Sequence, residues 1–486
     1  MSRPLKCSKV SEVEDQEDTD MISRLPDELL GYMLSFLPTK CAVGTSILSS
    51  RWRYLHRLTN SLSLISHLPD ELLGYMLSFL PMKCAVGTSI LSSRWRYLHM
   101  LTNSLSFKAP FDQPMGKAQK KAFNKFVNRV LLLHKRSSIE KFSLDCSPRY
   151  VSDDFDLHNW ISAAISKGVE QLHLSFYARL NALPHCLFSS QKLVKLKLTS
   201  ISDEIQVPKS INLPNLKILH LNYINFPCAD SFLRLISASS LLQELEVVHC
   251  EWPRDFINQF CFSSELKRLT MNSCWGYLEV DAPNLAYLYF STDEDHIALS
   301  LRNADCFLTA ILDLPFIDVD SMALRLIKAV GHAKELHLLG DISKHLTYFE
   351  DDDIPSYPNM VNLRLGYCTL DTWKYLMHWL VNSPQLETLI FEQGLLTFSM
   401  ETDEWPKDVE LVPFSSRVKV IEAYDFRGHK TELVLLKYLL ANAEVLQRLS
   451  LYKEHNEMSK DEELQARNEV LMFPRASKTC VVHLSE

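Results

Sequence analysis

The chain has 486 residues, a formal net charge of -8 at pH 7 and 47% apolar residues. That length supports more than one domain with a sizeable core, and the apolar and charged shares are those of a soluble globular protein. The acidic balance argues against nucleic-acid binding, which takes a basic footprint, and no apolar run nears the roughly 18 residues that a membrane span needs.

Twelve cysteines are scattered singly, with no CxxC pair, and 12 glycines include no GxGxxG or GxxxxGK[ST] cradle. Isolated thiols fit a reducing compartment better than a disulfide framework, and the missing cradle argues against a bound nucleotide. After Lys9 the acidic stretch SEVEDQEDTD stands where a signal peptide would need an apolar run, and the end, CVVHLSE, is no prenylation box. A cytoplasmic or nuclear, intracellular protein is expected.

Residues 1–20 carry six acids between Glu12 and Asp20 and read as a disordered tail. Residues 22–63 then spell a run that residues 65–106 repeat with three changes: Arg24 becomes His67, Thr39 becomes Met82 and Arg57 becomes Met100. In the first copy, Leu25-Pro26-Asp27-Glu28 opens a helix, with proline and acids suited to its first turn. Leu29, Leu30, Met33, Leu34 and Leu37 form one broad apolar face, and Pro38 ends the helix. Thr39 is placed to cap a second short helix through Ala42 and Val43. Ser49 or Ser50 caps a third that sets Trp52 and Leu55 one turn apart. Three helices in some 40 residues make a small core that needs a partner or a neighbouring domain to cover it.

LPDELLGYMLSFLPTK followed by TSILSSRWRYL resembles the F-box, which docks substrate receptors onto the Skp1 adaptor of cullin–RING ubiquitin ligases. The resemblance implies that Leu25, Pro26, Leu29, Leu30, Leu34, Leu37, Pro38 and Trp52 in the first copy serve docking. Leu68, Pro69, Leu72, Leu73, Leu77, Leu80, Pro81 and Trp95 do so in the second. Some of the sixteen support the internal core instead, and the sequence does not separate the two roles. Cys41 and Cys84 depart from the common plant form, where an acid stands, and Gly44 and Gly87 replace a larger residue. Glycine within a helix costs roughly 1 kcal/mol against alanine, so weaker docking elements are expected.

Residues 107–138 comprise a turn-rich connector and an amphipathic helix. In that helix Lys117, Lys121, Lys125 and Arg129 form a solvated stripe opposite Phe123, Phe126, Val127 and Val130. From residue 139 a second repeat begins, LxxLxL, at Leu193–Leu198, Leu216–Leu221, Leu242–Val247, Leu266–Met271, Leu285–Phe290, Leu386–Phe391 and Leu446–Leu451. Looser versions start at Ile139, Val169, Ala333, Met360 and Val418, and a poor one at Leu308. Most starts lie about 19–32 residues apart, the spacing of leucine-rich repeats. Each unit supplies a short strand with one apolar face, and neighbours must stack to bury it. Cys250, Cys274 and Cys368 fall three positions past a strand, where the repeat takes a buried Asn or Cys that packs or bonds the backbone. The acidic run Glu350–Asp353 and the segment 401–410 read as loops between repeats.

Trp405-Pro406, Val420-Ile421-Glu422, Tyr424, the run 435–451 and FPRASKTC at 473–480 resemble the FBD region that closes many plant F-box/leucine-rich-repeat proteins. Physically, this region is a helix from Glu432 to Asn442, a last repeat strand and a closing strand, suited to capping a solenoid. The fold expected is α/β: a duplicated helical F-box, copies at 22–63 and 65–106, then a curved leucine-rich-repeat solenoid with a parallel sheet over 139–400, completed by 401–486.

No catalytic spacing is present: no HExxH, no GxSxG and no zinc-spaced Cys/His set. His332, His337 and His345 cluster only in sequence, and Cys146, Cys186 and Cys228 are isolated. The function expected is a non-catalytic substrate receptor in a Skp1–cullin–F-box ligase, with no cofactor and no metal. Its expected partners are a Skp1-like adaptor, through it cullin and a RING protein, and a protein substrate, with neither nucleic acid nor membrane. The alternative is a leucine-rich-repeat scaffold outside any ligase. Of the two copies, position favours the second for docking, while the Thr39 cap, lost at Met82, gives local stability slightly to the first; one working element is expected.

Overall fold

The computed structural model describes residues 68–485 except Leu91, 110–115, 147–155, 177–182, 201–203, 254–259, 263, 276–277, 293–298, 305, 315–320, 341–354, 397–416 and 454–459. The acidic tail, the first copy, His345, the Glu350–Asp353 run and the 401–410 segment lie outside the described residues. The described chain divides into two compact units, one up to His173 and one from Leu174 onward.

The first unit opens with α1 (Asp70–Leu77), α2 (Met82–Gly87) and a 3₁₀ helix, Trp95–Leu101. Strand β1 (Ser104–Lys108) follows, then α3 (Lys117–Leu133), β2 (Lys141–Cys146), α4 (Leu157–Ser166) and the start of β3 (Gln171–Phe176), the strand at which the division falls. Strand β1 pairs in parallel with β2, from Ser104 opposite Lys141 to Lys108 opposite Asp145. The sheet therefore begins inside the duplicated segment, at its last three residues. Helix α3 buries Phe123, Val127 and Val130, with Phe126 half-buried against Phe107, and leaves Lys117, Lys121, Lys125 and Arg129 exposed.

The second unit carries β4 (Lys195–Ser200), β5 (Ile218–Asn222), α5 (Ala229–Ser237), β6 (Glu244–Val248), β7 (Phe260–Phe262) and β8 (Arg268–Asn272). It continues with β9 (Leu278–Asp281), β10 (Tyr287–Ser291), β11 (Leu299–Arg302), β12 (Thr309–Asp313), α6 (Ser321–Ala329), β13 (Glu335–Leu338) and β14 (Asn362–Leu365). It ends with α7 (Leu370–Asn382), β15 (Thr388–Phe391), β16 (Val420–Phe426), α8 (Lys430–Asn442), β17 (Arg448–Lys453), α9 (Lys460–Met472) and β18 (Val481–Ser485). Its main sheet runs β4-β5-β6-β8-β10-β12-β13-β14-β15-β16-β17-β18, and a small second sheet runs β11-β9-β7. The pairs are parallel, with the strands following one another in chain order. This is the leucine-rich-repeat arrangement expected from the LxxLxL spacing.

Register makes the core. Leu219, Leu245, Leu269, Leu288, Ala310, Leu336, Leu363, Leu389, Ile421 and Leu449 face one another across successive strands, and all are buried. A one-residue slip would turn the column to solvent, so the pattern holds the pairing in place. At β12 the structure corrects the sequence reading: the repeat starts at Phe307, with Phe307, Ala310 and Leu312 buried, and Leu308 faces out. The small sheet and α9 lack the LxxLxL signature and are additions that the spacing did not reveal.

The residue after each of β5, β6 and β8 is a non-glycine in the left-handed region: Tyr223, His249 and Ser273, at φ 55°, 49° and 46°. Each still donates its N–H across the ladder, as His249 does to Asn272 O at 2.8 Å, and the turn drives the next side chain inward. Those next residues are Ile224, Cys250 and Cys274. Cys250 Sγ donates to Leu221 O at 3.3 Å, and Cys274 Sγ to Val247 O at 3.2 Å. Burial pushes the Cys274 thiol up to about 11 and the Cys250 thiol well above its ordinary value, so both are neutral packing groups. Cys368 is buried as well.

Candidate docking surface

The residues singled out for docking in the first copy, Leu25, Pro26, Leu29, Leu30, Leu34, Leu37, Pro38 and Trp52, lie outside the described residues. The second copy is described from Leu68 onward. Pro69 stands at the N-cap of α1 with Asp70 and Glu71 in its first turn, where the helix dipole favours acids. Arg94 ties the ends of the element together, its Nε donating to Asp70 Oδ1 at 2.8 Å and its Nη2 to the Leu68 carbonyl. Trp95 N reaches Ser92 Oγ at 3.5 Å, but Arg94 and not a serine stands at the N-cap of the third helix, which is 3₁₀ rather than α.

The eight residues of this copy separate cleanly. Leu73, Leu77 and Trp95 are buried with Ala85 and Leu98 and form the element's own core. Leu68 and Leu80 are half-buried, and Pro69 and Pro81 are exposed. Leu72 remains 44% exposed on α1, and Tyr75, one turn on, 46% exposed, with its ring edge-on to Phe79 at 5.1 Å. Ile90 and Tyr97 are exposed too. The outer face of α1 is thus an apolar row of Pro69, Leu72 and Tyr75 that nothing in its own unit covers among the described residues.

Two expectations about this element change. Gly87 is the last residue of α2, not an interior one, and a Cβ there would meet open space. The glycine that matters is Gly74, on the inner face of α1, where a Cβ would stand 2.7 Å from Leu101 Cβ and 2.9 Å from Leu101 O. Met82 is the first helical residue after an N-cap Pro81 and is buried, so the position takes an apolar side chain and is no cap. Gly74, Arg94 with Asp70, and Tyr75 escaped the sequence reading. Their signal was present in Gly31, Arg51, Asp27 and Tyr32, the identical residues of the first copy.

On the repeats, the outward strand positions carry charge and aromatic ladders. His220 Nε2 lies 2.8 Å from Glu244 Oε1, and its hydrogen bond holds Glu244 below the usual carboxylate range. Arg268 stacks over Tyr287 at 3.9 Å, Arg364 pairs with Glu392, Arg448 with Glu422 at 2.9 Å, and Tyr424 stacks on Tyr452 at 4.5 Å. Burial, with Arg364 adding to it, lowers His337 to about 4. Among the described residues no group of three or more His, Cys, Asp or Glu is placed to hold a metal ion, and no helix is long and apolar enough to cross a membrane. His337 is half-buried on β13 and His332 exposed beyond α6; Cys146 is buried, Cys186 half-buried, and Cys228 Sγ lies 3.1 Å from Ser231 Oγ.

Comparison with known proteins agrees with this division. The F-box domain model matches residues 22–55, within the first copy. The model described as At1g61320/AtMIF1, LRR domain, matches residues 130–479. Three Arabidopsis thaliana proteins are each 31% identical to the chain. The "Putative F-box/LRR-repeat protein At3g42770" aligns over 93% of this chain and 78% of its own length. The "F-box protein At3g59000" aligns over 90% and 87%, and the "Putative F-box/FBD/LRR-repeat protein At3g59240" over 89% and 83%. The leucine-rich-repeat match over most of the chain, the F-box match ahead of it and relatives 31% identical over most of both chains place this chain in the F-box/LRR-repeat family of plant proteins.

Proposed function

We propose that the protein is the substrate receptor of an SCF-type ubiquitin ligase, with a helical F-box docking a Skp1-type adaptor and the repeats holding the protein to be ubiquitinated. The observation that carries the reading is the exposed row Pro69, Leu72 and Tyr75 on α1, set against the buried Leu73 and Leu77 of the same helix. An apolar row of this kind, on an element with its own filled core, suits a partner helix or groove. The segment repeats the 22–63 run with three changes, so both copies carry the docking side chains. Leu68, Pro69, Leu72, Leu80 and Pro81 make the contact in the second copy, and Leu73, Leu77 and Trp95 hold its shape. The identical residues of the first copy, Leu25, Pro26, Leu29, Leu30, Leu34, Leu37, Pro38 and Trp52, belong to the same docking proposal.

The role is non-catalytic. The receptor raises the effective concentration of a charged ubiquitin-conjugating enzyme, brought by cullin and a RING protein, at lysines of the bound substrate. Substrate choice falls to the outward strand positions and to the loops between repeats. Passing the full-length protein over an immobilised Skp1-type adaptor tests this reading. Retention is expected; a protein with an intact circular-dichroism signal that flows through would leave a leucine-rich-repeat scaffold working outside any ligase.

A further inference from the structure

The two copies differ at only three positions, yet just one of them is followed by α3 and β2. Residues 97–109 are stitched to residues 134–146 along their whole length. Lys135 N donates to Met100 O at 3.0 Å, and His134 Nε2 lies 2.9 Å from Thr102 O. Glu140 N donates to Asn103 O at 2.9 Å, and Ala109 N to Asp145 O at 2.8 Å. Lys135 Nζ sits 5.6 Å from the Tyr97 ring centroid, and Phe107 packs its ring against Phe126 and Phe142. Helix α2 lies against β1. The second copy thus supplies both the end strand of the sheet and the helices that cover it.

Two of the three differences fall at buried positions of this arrangement. Met82 is 1% exposed and Met100 7% exposed. The first copy has Thr39 and Arg57 there. An arginine at position 100 would bury a guanidinium on the residue that bonds Lys135, next in sequence to His134, which burial first and the Lys167 and Arg136 charges second already hold below its ordinary value. Burying an unpaired charge is among the most destabilising of single changes.

We infer that the second copy is the N-terminal cap of the repeats, an integral part of the first repeat, and that the first copy cannot take its place. Solenoid ends expose an apolar edge unless an atypical unit covers it, and here the cap is the duplicated element. Met82 and Met100 adapt the second copy to that inner duty without touching the apolar row of α1. This goes beyond the adaptor reading and stands whether or not an adaptor binds.

Hydrogen exchange on the full-length protein, read at residues 97–109 and 134–146, tests it. M100R is expected to speed exchange in both segments roughly tenfold or more, with a smaller rise for M82T, because the opening free energy of the seam falls. M100L, which keeps volume and polarity, and the reciprocal R57M should both stay at the parent rate. An M100R protein that fails to fold while M100L folds also supports the cap. Parent-like exchange in M100R would overturn the inference, and so would R57M speeding exchange at 134–146 as M100R does.

Discussion

The helical element of residues 68–101 and the repeats from β4 onward are both rich in leucine, and they spend it in opposite ways. In the repeats each inward residue has a counterpart one strand away, so the column from Leu219 to Leu449 is buried throughout. In the helical element the same residue type splits within one helix, Leu73 inside and Leu72 outside. Stacking gives every internal repeat two neighbours, whereas a three-helix element has one filled side and one open side. The exposed Leu72 of the first region therefore suits the docking role proposed for it, whereas the exposed Leu308 of the second marks a repeat that starts one residue earlier.

The contrast can be broken most forcefully by truncating one leucine on each side. L269A removes a column residue between Leu245 and Leu288 and should cost about 2–5 kcal/mol, the usual range for a buried leucine. L72A should leave the denaturation midpoint within about 0.5 kcal/mol of the parent, as surface changes do. Equal losses in chemical denaturation would erase the distinction.

Next in size is the pair of glycines. G74A forces a Cβ against the Leu101 backbone and should destabilise the helical element by about 1–3 kcal/mol, as overpacking does. G87A, with open space around it, should be neutral or slightly stabilising. Local hydrogen exchange at residues 70–77 separates them, and an undisturbed G74A would show that α1 and the 3₁₀ helix do not approach as closely as described.

A smaller effect sharpens the repeat side, where even a carboxylate is enclosed. Glu432 is fully buried at the start of α8 and accepts N–H bonds from Leu395, Arg427 and His429 at 3.3, 3.1 and 3.3 Å. Burial outweighs these bonds and raises it to about 7 from an ordinary 4.5. A raised acid keeps its proton longer in the folded chain than in the unfolded one. Its contribution is therefore most favourable below pH 4.5, declines as pH rises through that value towards 7, and is flat above. The parent should lose on the order of 2 kcal/mol relative to E432Q between pH 4.5 and 8. Parallel pH profiles for the two proteins would contradict the burial of a protonated Glu432.

Most of the architecture was legible because periodicity is a local signal. The spacing of LxxLxL placed the strands, the cysteines two residues past β6 and β8 pointed inward as the repeat requires, and α3 kept its lysines out. What escaped were features set by partners distant in sequence. No spacing rule tells that Gly74 meets Leu101, that Arg94 reaches back to Asp70, or that residues 104–106 leave the helical element to become β1. The division of the docking residues was hidden for the same reason: Leu72 and Leu73 are neighbours in sequence, and only the position of Trp95 and Leu98 decides which of them is inside. The short strands β7, β9 and β11 have no repeat signature, so nothing announced the second sheet.

The central claim is that the exposed row of α1, and its counterpart in the first copy, binds a Skp1-type adaptor while the buried residues only hold the element's shape. Affinity of a purified Skp1-type adaptor for the full-length L29A/L72A protein, with its melting temperature recorded alongside, tests this most directly. The account predicts binding weakened at least tenfold, a loss of about 1.4 kcal/mol, with melting unchanged. Parent-level affinity in that variant would contradict it.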